Sequence, residues 1–244
     1  MKTDETDAPL ASDRVRAEWL RRVEAEYRSA VGTQELSLWL MQIGASPDLI
    51  DAGLRIVRDE LRHADICYRI YVEAGGEAGP TLVRETLKLP RHDGEPLEYD
   101  VTRVCVDMFC LGETVAVPLF ERLRSGCTVR RPRRVLDRIV VDEVRHRDFG
   151  WALLGWLLEL PIGSELRALV ERELPSYFAR MRRAYGAAPD RADVAPDDRV
   201  WGLMAPAEYA EVLERTVERD WERRFARFGI AAAKAWHAES APIP

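Results

Sequence analysis

The chain contains no apolar run approaching the roughly 20 residues that a membrane-spanning helix requires. It also has no convincing alternation of polar and apolar residues that would read as a strand. The first absence argues against a membrane protein, the second against a β or α/β fold. There is no excess of positive charge: 36 Lys and Arg stand against 42 Asp and Glu, a net charge of −6. That balance argues against broad nucleic-acid binding, which needs a basic face. Arg130, Arg131, Arg133 and Arg134, around Pro132, form a local exception expected to be a solvated loop. Cysteine is scarce. Cys67, Cys105, Cys110 and Cys127 include no C-x-x-C pair, so neither a zinc ribbon nor a redox dithiol is indicated, and all four are expected as buried thiols. The opening MKTDETDAPLASD lacks the basic start and apolar core of a secretory signal, so the expected location is cytoplasmic.

What is present is helical patterning. A hydrophobic fraction of 47% over 244 residues is enough for a real core. Apolar residues recur with a period of 3.6, predicting helices over about 12–43, 47–72, 100–124, 132–160, 164–186 and 206–228. Ser12 suits an N-cap, Gly44 and Gly126 suit stops, and Pro175 is expected to kink or split the fifth helix. APDRADVAPDD reads as a polar linker and the tail after the last helix as frayed. The link of about 73–99 exceeds most helix–helix connections. The expected fold is therefore all-α: a four-helix bundle over 12–160 with one long crossover, and a C-terminal helical extension over 164–230 packed on it.

The chemistry lies in a repeated pentapeptide. Asp59-Glu60-Leu61-Arg62-His63 and Asp142-Glu143-Val144-Arg145-His146 are two copies of D-E-x-R-H. Glu and His three residues apart project from one helix face and can reach the same ion. Both pairs fall on stripes that otherwise pack the core: Leu49, Gly53, Ile56, Glu60, His63, Cys67 and Ile70, then Ile139, Glu143, His146, Gly150, Leu153 and Leu157. An unpaired buried carboxylate costs several kcal/mol or protonates, and a shared cation removes that penalty. Glu113 is the lone charge on the stripe Val106, Phe109, Val117, Phe120 of helix three. On helix one, Glu26 shares a stripe with Trp19, Val23 and Ala30, and Glu24 is the alternative.

Two halves that each offer a lone Glu and then E-x-x-H resemble the ferritin-like di-iron carboxylate superfamily, over residues 12–160. The D-E-x-R-H form is similar to bacterial di-iron oxygenases and oxidases. The resemblance implies metal ligands at Glu26, Glu60, His63, Glu113, Glu143 and His146. It also implies that Asp59 orients His146 and Asp142 orients His63, with Arg62 and Arg145 balancing the buried Asp residues. Four carboxylates and two imidazoles with no thiolate suit iron or manganese better than structural zinc, so the expected cofactor is two iron ions, with Mn/Fe and Mn/Mn left open. The implied partners are dioxygen, a small organic substrate, an electron donor such as a ferredoxin or reductase, and a second copy in a homodimer.

Cys67, Val117 and Gly150, each four residues past a ligand position, are small and are read as space for substrate. Multicomponent hydroxylases carry Thr where Val117 stands and have longer subunits, so a compact stand-alone oxidase or oxygenase fits better. Iron storage or peroxide detoxification is the alternative, and the helices after Pro161 count against a compact storage subunit. Tyr27, Tyr68 and Trp151, beside ligand positions, are read as filling the core or its helix contacts, with a role in carrying electrons or a radical as the alternative. His92 and His237 are read as surface residues.

Overall fold

The computed structural model describes residues 9–185 and 193–238. Ser12 opens helix α1 by accepting the Val15 amide on its hydroxyl at 3.2 Å, which satisfies one of the unpaired amides of a helix start. Helix α1 runs Asp13–Gln42. It stops at Gly44, whose φ of 72° suits glycine. Pro47 sits in the first turn of α2, Pro47–Glu73, where its missing N–H costs nothing.

The crossover then climbs along α1. The Thr81 amide donates to Glu24 and the Leu89 amide to Glu35, both at 2.8 Å. The Arg91 guanidinium lies 5.6 Å from the centre of the Trp39 ring. The contacts advance along α1 as the chain advances, so the link runs the height of the bundle. Its regular part is one 3-10 turn, Arg84–Leu87. It is latched at its end by Asp100, fully buried, which accepts from Arg91, from the His92 amide and ring, and from Arg103.

The third bundle helix is not plain α-helix. Helix α3, Leu97–Val104, passes directly into a π-helical segment, Cys105–Glu113, and on into α4, Thr114–Gly126. The widened segment packs on α5, Arg130–Leu158. The Cys105 and Cys110 thiols both point at the Gly150 carbonyl, at 3.3 and 3.5 Å. The Trp221 indole N–H donates to the Cys110 carbonyl at 3.0 Å, and the Trp151 indole donates to Thr114 at 2.9 Å. Such segments concentrate at functional sites, and this one ends on Glu113.

Gly150 is what lets the two helices approach. A Cβ there would lie 2.4 Å from the Phe109 Cβ and 2.9 Å from its carbonyl carbon. Gly150→Ala is therefore expected to destabilise the chain by about 2–3 kcal/mol, read as a lowered urea midpoint at unchanged slope. An unchanged midpoint would show that the packing is looser than this.

Three expectations need correction. Arg130–Arg134 is not a loop but the first turn of α5: Pro132 is tolerated there, and Arg133 caps the preceding turn through the Cys127 carbonyl at 2.8 Å. Helix α6, Gly163–Tyr185, runs unbroken through Pro175, because buried Leu174, Tyr177 and Phe178 anchor it on both sides of the proline. The helix expected from Pro206 runs on to Ala226, but the chain after it is not frayed as far as residue 238. Helix α8, Pro206–Thr216, widens into a π-turn, Val217–Trp221, and continues as α9, Glu222–Ala226. Helix α10, Ala232–His237, is then held by Trp236, packed 5.2 Å from Phe178 and 6.3 Å from Trp221 between ring centres. The expected helix end at Gly186 and residues 188–192 of the expected linker lie outside the described residues. A short helix α7, Pro196–Arg199, occupies the linker's end.

The result is an all-α four-helix bundle with a long crossover and additional C-terminal helices. Among the described residues no helix is long and apolar enough to cross a membrane.

Candidate metal centre

Four helices deliver six ionisable side chains to one point in the bundle. Glu26 comes from α1, Glu60 and His63 from α2, Glu113 from the end of the π-helical segment, and Glu143 and His146 from α5. Each is there because its helix turns one stripe inward and that stripe carries one carboxylate, or a carboxylate and an imidazole. All six are buried, with Glu113 the most exposed at 9% and both histidines at 0%.

The donor atoms form two overlapping sets. Glu26, Glu60, His63 and Glu143 each place one within 4.8 Å of the others, and so do Glu60, Glu113, Glu143 and His146. Glu60 and Glu143 belong to both sets. His63 Nδ1 lies 3.5 Å from Glu26, 3.7 Å from Glu60 and 3.6 Å from Glu143. His146 Nδ1 lies 3.2 Å from Glu60 and 3.4 Å from Glu143. These contacts are near but misaligned: Glu60 Oε2, Glu143 Oε2 and both Nδ1 atoms are buried with no hydrogen-bond partner. Buried polar groups are otherwise nearly always satisfied. Orphaned lone pairs facing one centre are what a pair of cations would complete, and the geometry is that of a dinuclear site.

Behind the ligand face the two motifs cross over. His63 Nε2 meets Asp142 Oδ2 at 3.1 Å, and His146 Nε2 faces Asp59 Oδ2 at 3.6 Å. Arg145 spans both aspartates, at 3.1 Å from Asp59 and in direct contact with Asp142. Arg62 is over half exposed and only 3.9 Å from Asp59, so the two motif arginines are not equivalent. Arg138, which the motif does not contain, reaches Asp142 at 2.8 Å. Its place four residues before Asp142 is the signal that would have found it. Asp142→Ala is expected to weaken metal binding by about 10–100-fold while leaving the stoichiometry intact, measured by competition with a chelator. An affinity equal to that of the parent would remove Asp142 from the site.

Electrostatics follow from burial and proximity. Desolvation pushes the Glu26 and Glu113 carboxyls well above the carboxylate range, and Glu143 adds to this at Glu113. At Glu60 burial works the same way but loses to His146 and His63, so its pKa is lowered. Burial opposes imidazolium, yet Glu26 and Glu60 raise His63 to about 11, and Glu143 and Glu60 raise His146 to about 10. Without a cation the cluster therefore holds its charge balance with protons. A cation would displace them.

Comparison with protein-family models, with curated proteins and with solved structures finds no match to this chain.

The remaining sequence candidates are placed elsewhere. Glu24 is outside both sets, bonded to the Thr81 amide and 3.6 Å from Arg28. Tyr27 and Tyr68 are 36% and 38% exposed, so they do not fill the core, whereas Trp151 is buried. His92, with Glu95 and Asp100, forms a third acidic group, but Arg91 and Arg103 already neutralise it. The open space beside the centre is a cavity of about 440 Å³ lined by Glu26, Glu60, Glu113 and Glu143. Cys67, Val117 and Gly150 are not among its lining residues. Cys67 is fully buried and Gly150 is filled by Phe109. The missed lining is Thr86–Leu89, brought over the centre by the crossover, together with Gly32 and Met108. Loop residues carry no periodicity from which that placement could be read.

Proposed function

We propose that this chain is a non-haem di-iron oxidase or oxygenase that uses dioxygen to oxidise a small organic molecule. The observation that carries the reading is the shared pair Glu60 and Glu143: two sets of donors with common carboxylates suit two ions held side by side. Glu26 and His63 complete one end, Glu113 and His146 the other. Four carboxylates balance two divalent charges, so the reduced centre is neutral. When bound and reduced, the two irons supply electrons to dioxygen next to the substrate.

The protein supplies the rest. Asp142 holds the Nε2 side of His63 by a hydrogen bond and Asp59 faces Nε2 of His146 at 3.6 Å, so that the Nδ1 atoms face the centre. The carboxylates of Glu26 and Glu113 border the cavity and would complete the two ends of the centre beside the substrate. Leu87, Leu89, Met108 and Phe120 limit water at the reacting centre. Electrons would come from an external donor protein. The cavity beside the carboxylates favours substrate oxidation over iron storage.

The test is elemental analysis of protein expressed with iron, followed by anaerobic reduction and exposure to dioxygen. About two irons per chain and a transient visible band are expected. Aerobic turnover that persists in Glu113→Ala would sink the assignment.

A further inference from the structure

The charge at the cavity mouth differs in sign from the charge at its floor. Apart from the four site carboxylates, the charged residues lining it among the described residues are Arg28 and Lys88. Arg28 is exposed on α1 and shares Glu24 with the Thr81 amide. Lys88 is exposed at the end of the 3-10 turn, between the two points where the crossover is pinned to α1. The uncharged lining is largely apolar, with Leu87, Leu89, Met108 and Phe120 beside the hydroxyl residues Ser29, Thr86 and Tyr185.

The space is also kept open. Gly32 sits inside α1, where glycine costs about 1 kcal/mol relative to alanine. A Cβ there would press on Met108 at 3.1 Å and Leu89 at 3.4 Å, narrowing the cavity. Orphaned oxygens of Glu60 and Glu143, both almost fully buried, stand at its floor.

We propose that the cavity takes an organic anion with an apolar body, a carboxylate or similar head group lying between Arg28 and Lys88 and the carbon chain reaching the metal centre. This rests on the di-metal reading of the floor, because a neutralised floor is what lets an anion enter beside four carboxylates. A cationic substrate would meet two positive side chains at the entrance. A neutral one would leave the Lys88 charge unused, whereas Arg28 already has Glu24 at 3.6 Å.

The test uses the full chain loaded with zinc, which is redox-inert, and three probes of equal length: octanoate, octanol and octylamine, titrated by calorimetry. Octanoate should bind roughly tenfold more tightly than octanol, and octylamine not measurably. Arg28→Gln with Lys88→Gln should remove that preference, lowering octanoate affinity about tenfold and leaving octanol unchanged. Both positions are exposed, so the fold is retained. No saturable octanoate binding, equal affinity for octanol, or octanoate binding indifferent to the double substitution would each overturn the proposal. Metal content is measured separately: a chain that takes up no metal sinks the oxidase reading, while the parent-against-variant comparison still reads the charge at the mouth.

Discussion

Glu60→Ala is expected to abolish stoichiometric metal binding, whereas Glu113→Ala should retain one ion per chain. Glu60 contributes a donor atom to both four-residue sets, while Glu113 contributes to one. Removing Glu60 leaves each ion three protein donors and opens the wall between them. Removing Glu113 leaves Glu26, Glu60, His63 and Glu143 complete. Metal analysis after dialysis reads the difference, and two ions retained in Glu60→Ala would exclude Glu60 as a ligand shared by both. Stability moves the other way. In the metal-free chain Glu113 is a desolvated carboxyl beside Glu143, so Glu113→Leu should stabilise that form by about 1–2 kcal/mol, a rise of roughly 3–6 °C in Tm. A carboxylate kept for structure would give a fall instead.

Metal affinity should rise steeply with pH, while the metal-free chain loses stability over the same range. His63 titrates at about 11 and His146 at about 10 in the cluster without metal, so two imidazole protons must leave when both sites fill. Below pH 10 the two imidazole protons alone make the combined affinity for two ions rise by about 100-fold per pH unit, and protons held by Glu26 and Glu113 add to that. The stability effect has a definite sign. Both folded-state values lie above the unfolded histidine value of about 6.5. Their contribution is therefore complete below about pH 6.5 and is lost as pH rises through 10 and 11. Glu26 and Glu113, also raised, act in the same direction, and Glu60, lowered, contributes only above the ordinary carboxylate range. The gain in Tm on adding metal should thus grow between about pH 6 and pH 9, with proton release detectable by a pH indicator. A pH-independent gain would mean that the ions bind elsewhere.

Much of the site was legible because helical geometry is local. A Glu and a His three apart share a face whatever surrounds them, and a carboxylate on an apolar stripe must be answered by something. The two D-E-x-R-H copies and Glu113 carried that signal. Glu26 and Glu24 were harder to separate, since two positions 200° apart on a helix still leave the phase uncertain when the stripe is broad. The crossover settled it by bonding Glu24 to Thr81 and leaving Glu26 facing inward.

The cavity beside the donors was not legible for a different reason. Small residues one turn past a ligand leave room only if the neighbouring helix stays away, and at Gly150 the π-helical segment moves in. Periodicity cannot report such a segment, because its hydrogen bonds are completed by Trp221, some 110 residues downstream, and by the packing of α5. The partial exposure of Tyr27 and Tyr68 likewise depends on which helices lie alongside.

Local rules, then, were enough for the helices and for the inward direction of five of the six donors, since each depends on residues within one or two turns. Only the packed bundle decided how those donors divide into two sets, which loop roofs the cavity, and what charge stands at its entrance. Those properties join residues distant along the chain, and their energies exist only after the helices have met.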